Sequence, residues 1–217
     1  MFGGEVVTEM ETLNVTSSVQ PLMFGPAEAQ LYGCFHAPQI AAPSNAVGVL
    51  ICPPVGYEMI RAHRCLRNLA NRLAAAGSPV LRFDYLGCGD SAGEIEDASI
   101  DAWLACIRLA AIELSRLAQT GAIKIIGLRL GASLGTLALS RGVVDAQGIA
   151  LWNPVINGAS QIETMKSDNA RHVARGAAHV RHFWSVIESA PNLVLPLPAS
   201  FSTRWTVSGL LLRFLNS

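Results

Sequence analysis

The chain has 217 residues, 51% of them apolar, and its 16 basic and 16 acidic residues cancel at neutral pH. That length and composition suit one well-buried core, so a single domain is the default reading. The balanced charge, with no long run of either sign, argues against a nucleic-acid or anionic-membrane partner read through bulk charge. No apolar stretch approaches the ~20 residues that cross a bilayer. The N-terminus lacks a basic region followed by an apolar one, so no secretion signal is expected. Five cysteines, with no Cys-x-x-Cys spacing, point to reduced thiols in a cytoplasmic protein. Without a secretion signal, the Asn14-Val15-Thr16 sequon carries little meaning.

From Met1 to about Val19 the sequence is polar and weakly patterned, and reads as a loose leader or edge segment. Pro21–Gly25 and Leu31–His36 read as two strands joined by a turn, with His36 alternating to one face, packed or facing solvent. Val47–Cys52 is a continuous apolar run ending in Pro53-Pro54, which fits a central strand buried on both faces. Helical spacing of apolar residues then runs from Ile60 to Ala76, up to Gly77; His63 on this helix is expected at or near the surface. Pro79–Tyr85 is the next strand, followed by a turn-rich stretch, Gly87–Gly93. A long amphipathic helix spans Asp101–Gln119.

Ile123–Leu128 is a short β-branched strand that runs directly into Gly127-Leu128-Arg129-Leu130-Gly131 and then into helix-favouring sequence to about Ser140. An abrupt strand-to-helix turn with small residues on both sides is the geometry of a nucleophile elbow. Its middle residue is Arg129, and a guanidinium keeps its proton and cannot attack a carbonyl. Gly148–Pro154 repeats the strand-and-turn pattern. Four strands alternating with helices predict right-handed crossovers and a mostly parallel sheet with helices on both faces, the N-terminal antiparallel hairpin along one edge. One or two helices are expected between 159 and 189, and the Pro-interrupted apolar stretch 191–217 does not read as a further strand-helix unit. Residues 1–157 are therefore taken as the core, and 158–217 as a cap-like helical segment with an apolar tail.

Taken in order, Pro53-Pro54-Val55-Gly56-Tyr57-Glu58, Asp84-Tyr85-Leu86-Gly87-Cys88-Gly89-Asp90-Ser91, Gly127-Leu128-Arg129-Leu130-Gly131 and Trp152-Asn153-Pro154 resemble the α/β-hydrolase superfamily. Within it they look most like the bacterial serine-aminopeptidase-like proteins labelled exosortase-system-associated hydrolases. The resemblance covers about residues 20 to 160. It implies an α/β-hydrolase fold shortened at the C-terminus, and hydrolysis of acyl esters or amides. It also places the N–H groups of Val55 and Leu130 where an oxyanion hole would form. Physically, backbone donors at a loop and at a helix N-terminus favour negative charge at the elbow. The same glycines and prolines would equally serve to close a sheet edge.

A hydrolase triad needs a nucleophile, a base and an orienting acid within hydrogen-bond reach. Arg129 removes the first, so no catalytic residue is assigned. Ser133 is the remaining hydroxyl candidate, but it sits one helical turn past the apex, where its oxygen is expected to bond a carbonyl of the preceding turn. His172, His179 and His182 lie among arginines and read as a solvated basic face; His179 and His182 at i,i+3 lack the carboxylates to complete a metal site. Asp84, Asp90, Glu94, Glu96 and Asp97 are explained by turn formation. No cofactor and no metal are expected. Three readings remain open: a carboxylate- or phosphate-binding protein on a hydrolase scaffold, with Arg129, Val55 and Leu130 at its site; a hydrolase or acyl transferase with an unorthodox nucleophile or a partner-supplied residue; or a shortened relative that self-associates through an open sheet edge.

Overall fold

The computed structural model of the chain describes residues 19–40 and 46–173. β1 (Val19–Phe24) and β2 (Leu31–His36) form an antiparallel hairpin, with Phe24 opposite Leu31 and Val19 opposite His36. β3 (Gly48–Cys52) leads to α1 (Tyr57–Ala75) and β4 (Val80–Phe83), then α2 (Ile100–Ala118) and β5 (Ile123–Leu128). α3 (Leu130–Ser140), β6 (Gly148–Trp152) and α4 (Gly158–Val173) follow. The six strands lie in the order β1-β2-β4-β3-β5-β6. β2 meets β4 antiparallel, and the β4-β3-β5-β6 block is parallel throughout.

The chain passes from β3 to β4 on one side, then crosses back over β3 to reach β5. With right-handed crossovers, reversing the direction of travel moves the helices to the opposite face. Accordingly, α1 covers one face through Leu66, Ala70 and Leu73 against Val49, Ile51, Val80 and Ile126. The larger core lies on the other face, where Trp103, Ile107 and Leu114 of α2 and Leu134 of α3 pack on Leu50, Leu81 and Ile125. All five residues of β3 are buried, as its continuous apolar run predicts. The chain leaves β3 toward one side and β5 toward the other, so the ends of these adjacent strands form the switch point where open α/β sheets bind ligands.

The expected elements are present, with shifted ends. β1 begins at Val19, inside the stretch read as leader, and pairs fully with β2. α1 begins at Tyr57 rather than Ile60, because Gly56 at φ 64° turns the chain directly into the helix ahead of the first apolar repeat. Among the described residues one helix, α4, follows β6, its first turn capped by the Asn157 side chain accepting from Ser160 N–H at 3.0 Å. The readings placed on 174–217 lie outside the described residues, as does the start of the leader.

Two glycines fix how closely the sheet and α3 approach. A Cβ on Gly127 would run into the backbone of Ala132, and one on Gly131 would run into the carbonyls of Cys52 and Pro53. We expect Gly131→Ala to lower stability by about 2 kcal/mol or more in urea unfolding, because the obstruction is main chain and cannot rotate away. Gly121→Ala is the control: nothing lies within 4 Å of its Cβ position, so its midpoint should hardly move.

His36 is fully buried on β2, between Asn71 of α1 and Arg82 of β4. Arg82 Nε donates to His36 Nε2 at 3.1 Å, which leaves the ring proton on Nδ1, donated to Asn71 Oδ1 at 2.9 Å. Burial, and then the Arg82 charge, lower its pKa from 6.5 to about 4. The unfolded chain therefore binds this proton more tightly than the folded one. Stability is complete above pH 6.5 and falls as pH drops toward 4, by about 3 kcal/mol in all. Urea midpoints measured across this window should fall less steeply for His36→Gln than for the natural chain; equal slopes would refute the assignment.

Candidate functional site

Arg129 stands between β5 and α3 with φ 55° and ψ −122°, a backbone conformation that few side chains tolerate. Its own N–H donates to the Trp152 carbonyl at 3.0 Å, tying the turn to the end of β6. The contact of Gly131 with the Cys52–Pro53 main chain brings the loop after β3 against the first turn of α3. Val55 in that loop is buried at 1% exposure, and Leu130 opens α3 at 4%. The N–H groups of these two residues find no acceptor among the described residues.

The guanidinium at the apex is clasped from three sides. Nε donates to Glu58 Oε1 at 2.9 Å, Nη2 to Gln161 Oε1 at 2.7 Å, and Nη1 to the Asn153 carbonyl at 3.3 Å. Gln161 Nε2 also approaches Glu58 Oε1, at 3.5 Å. Glu58 comes from the first turn of α1, Asn153 from the turn after β6, and Gln161 from the first turn of α4. Three of the five guanidinium N–H groups are thus used and two remain. The Arg129 and Glu58 side chains are 23% and 29% exposed, so the pair lies at the mouth of the turn and is not sealed beneath it.

Among the described residues, the Ser133 hydroxyl and the Cys52 and Cys88 thiols are not available for attack at the turn. Ser133 is fully buried, and its Oγ donates to the Val155 carbonyl at 2.6 Å. The carbonyl one turn back, on Arg129, lies at 3.5 Å, so the expected local bond is secondary to one made across to the loop before α4. Cys52 is buried at the end of β3, and burial pushes its thiol up to about 12. Cys88 is held up to about 12 by burial and by the nearby Asp84. Neither is a thiolate at neutral pH. The five cysteines are free thiols.

The acidic turn after β4 is a structural loop. Asp84 Oδ2 accepts from Asp90 N–H at 3.2 Å, and Ser91 Oγ donates to the Asp84 carbonyl at 2.7 Å while accepting from Tyr32 N–H at 2.9 Å. Gly89 has φ 57°, and a Cβ there would strike the Asp84 carboxylate. Glu94 N–H donates to Asp97 Oδ2 at 3.1 Å in a capping box. His63 is exposed on α1, as expected. His172 is in α4, and its side chain lies outside the described residues along with all of His179 and His182. Among the described residues no group of three or more His, Cys, Asp or Glu is placed to hold a metal ion. No described helix is long and apolar enough to cross a membrane.

The partners that sequence reasoning did not assign are Glu58 and Gln161. Glu58 reads as the last residue of the Pro53–Glu58 loop, ahead of a helix expected from Ile60, whereas α1 starts at Tyr57 and puts it in the first turn, where it favours the helix dipole. Nothing in the sequence marks Gln161, which lies 32 positions beyond Arg129.

No protein-family model matches the sequence, and no curated protein matches it. Solved structures do. An esterase from Pyrococcus furiosus is similar at a TM-score of 0.56 and 19% identity, over 80% of this chain and 63% of that one. Est1E of Butyrivibrio proteoclasticus, solved with ferulic acid bound, gives 0.54 and 19%, over 66% and 56%. A lidless α/β serine hydrolase from Xanthomonas campestris gives 0.53 and 18%, over 62% and 61%. The chain thus spans under two thirds of the length of each of these structures. Such identities speak to architecture alone, and the architecture agrees with the strand order, the crossovers and the strand-to-helix turn: the chain has an α/β-hydrolase fold.

Proposed function

We propose that this chain is a non-hydrolytic protein on a hydrolase scaffold, and that its elbow binds the carboxylate of a small acyl or other anionic ligand. The observation that carries the reading is the clasped guanidinium at the apex, beside a serine whose hydroxyl is already committed to Val155. A triad cannot start from either group. Anion binding can: two guanidinium N–H groups remain, and the Val55 and Leu130 amides have no acceptor among the described residues. The resemblance to serine-aminopeptidase-like, exosortase-associated proteins fits a bacterial, cytoplasmic setting, which the free thiols also favour. Residues 158–217 are assigned to a cap-like segment, a reading supported by Gln161, which reaches the elbow from the first turn of α4.

Short-chain carboxylates, tested one by one against the full chain, should raise the melting temperature, and Arg129→Ala should abolish the rise. A fluorophosphonate probe should leave the protein unlabelled. Labelling of the natural chain, or turnover of short acyl esters, would instead establish a hydrolase with an unorthodox nucleophile.

A further inference from the structure

A second polar cluster lies away from the elbow, where α1 borders the seam between β2 and β4. Strand alternation sends Leu31 and Phe35 of β2 into the larger core and turns Tyr32, Cys34 and His36 to the other face, toward α1. Cys34 is paired with Arg82 across the seam. On α1, Asn71 holds His36, and Arg67 lies one turn earlier on the same side of the helix.

These residues form a relay that aims one side chain. Asn71 fixes the histidine tautomer, the buried neutral ring accepts from Arg82 Nε, and the half-buried guanidinium is thereby held by its Nε edge. Its two Nη atoms, the flat end of the fork, meet no acceptor among the described residues. Arg67 likewise makes no ion pair there, although its charge falls on both Arg82 and His36. The Asp84 carboxylate accepts from Asp90 N–H and makes no hydrogen bond to Arg82 among the described residues, although its charge falls on Arg82. The surroundings are basic: α1 carries Arg61, Arg64, Arg67 and Arg72 against a single acid, Glu58, which is taken by Arg129. Arg61 is placed over the Tyr57 ring at 5.8 Å, and none of the four arginines is ion-paired among the described residues.

We infer that Arg82 and Arg67 form a binding site for a phosphate group, free or carried on a small phosphomonoester. Two guanidinium groups from different elements need an anion with more than two acceptor edges. A carboxylate fills one fork, whereas a tetrahedral phosphate can meet both. The hydrogen bond donated by Cys34 Sγ at 3.5 Å, and then burial, push the Tyr32 hydroxyl up to about 12, so it adds no negative charge beside the seam.

The test is titration of the full chain with inorganic phosphate at constant ionic strength, followed by calorimetry, with glycerol phosphate as a parallel arm and acetate as a competitor. Saturable phosphate binding is expected, weakened at least about tenfold by Arg82→Lys and by the surface change Arg67→Ala. Arg67→Ala removes an exposed side chain and keeps the comparison valid if Arg82→Lys fails to fold. Saturating acetate, which occupies the elbow, should leave phosphate binding unchanged, and this separates the two sites. Tighter binding of glycerol phosphate than of phosphate would identify the esterified form as the ligand. Absence of phosphate binding, binding that survives Arg67→Ala, or loss of phosphate binding at saturating acetate would each overturn the assignment.

Discussion

The close approach of two main-chain segments organises this molecule. At Gly131 the first turn of α3 rests on the carbonyls of Cys52 and Pro53, and at Gly127 the end of β5 rests on Ala132. Neither contact leaves room for a Cβ. Between them the chain must reverse from strand to helix within one residue, which forces Arg129 to positive φ at a cost of order 1–3 kcal/mol. Offsetting that cost are the Arg129 N–H bond to Trp152 and the packing of α3, whose residues Leu130 to Ala138 are all buried. The adjacent ends of β3 and β5 are held together by the same contact, so the switch point of the sheet and the strained turn are one feature.

The backbone of the turn does not depend on what its apex residue does. Its geometry follows from the flanking glycines and from the sheet, and a long cationic side chain is accommodated because the apex points out of the core. The occupant changes what surrounds it. A guanidinium that is 23% exposed still needs hydrogen-bond acceptors, and it takes them from α1, from the turn after β6 and from α4. Arg129 therefore joins three segments that a short hydroxyl would not reach. The partly exposed ion pair with Glu58 adds about 1 kcal/mol at most. Its larger effect is on orientation, since a fork held at Nε and Nη2 can present its remaining N–H groups in few directions.

Much of the architecture was legible because it rests on local pattern. The β-branched runs ending in Gly or Pro located β3, β5 and β6, and the alternation of strand and helix implied parallel crossovers with the hairpin at the edge. Helix starts were less legible. Tyr57 begins α1 through the unusual φ of Gly56, a backbone cause with no signature in apolar spacing. Side-chain partners were the least legible. Glu58 and Arg129 are 71 positions apart, and Ser133 bonds a carbonyl 22 positions ahead in preference to the one 4 behind it. Such pairings are decided by how the sheet stacks, after periodicity has done its part. His36 shows the middle case: alternation placed it on one face of β2, while its burial and neutral state required α1 and β4 to close over it.

Balanced composition excludes a long-range field of one sign, but it says nothing about where the charges lie. Here the acids gather in the turn after β4, where they are consumed by backbone N–H groups, as Asp84 and Asp97 are. The four arginines of α1 form no ion pair among the described residues. A basic residue whose counter-charge is spent on a loop is electrostatically incomplete even in a neutral protein, and at distances below the ~8 Å screening length it is local pairing that counts. Burial sharpens the difference between Arg82 and its surface neighbours. Arg64 and Arg72 are exposed and can be hydrated from every side, whereas Arg82 is half-buried, fixed by a neutral histidine, and can satisfy its outer fork only in the direction the β2–β4 seam leaves open.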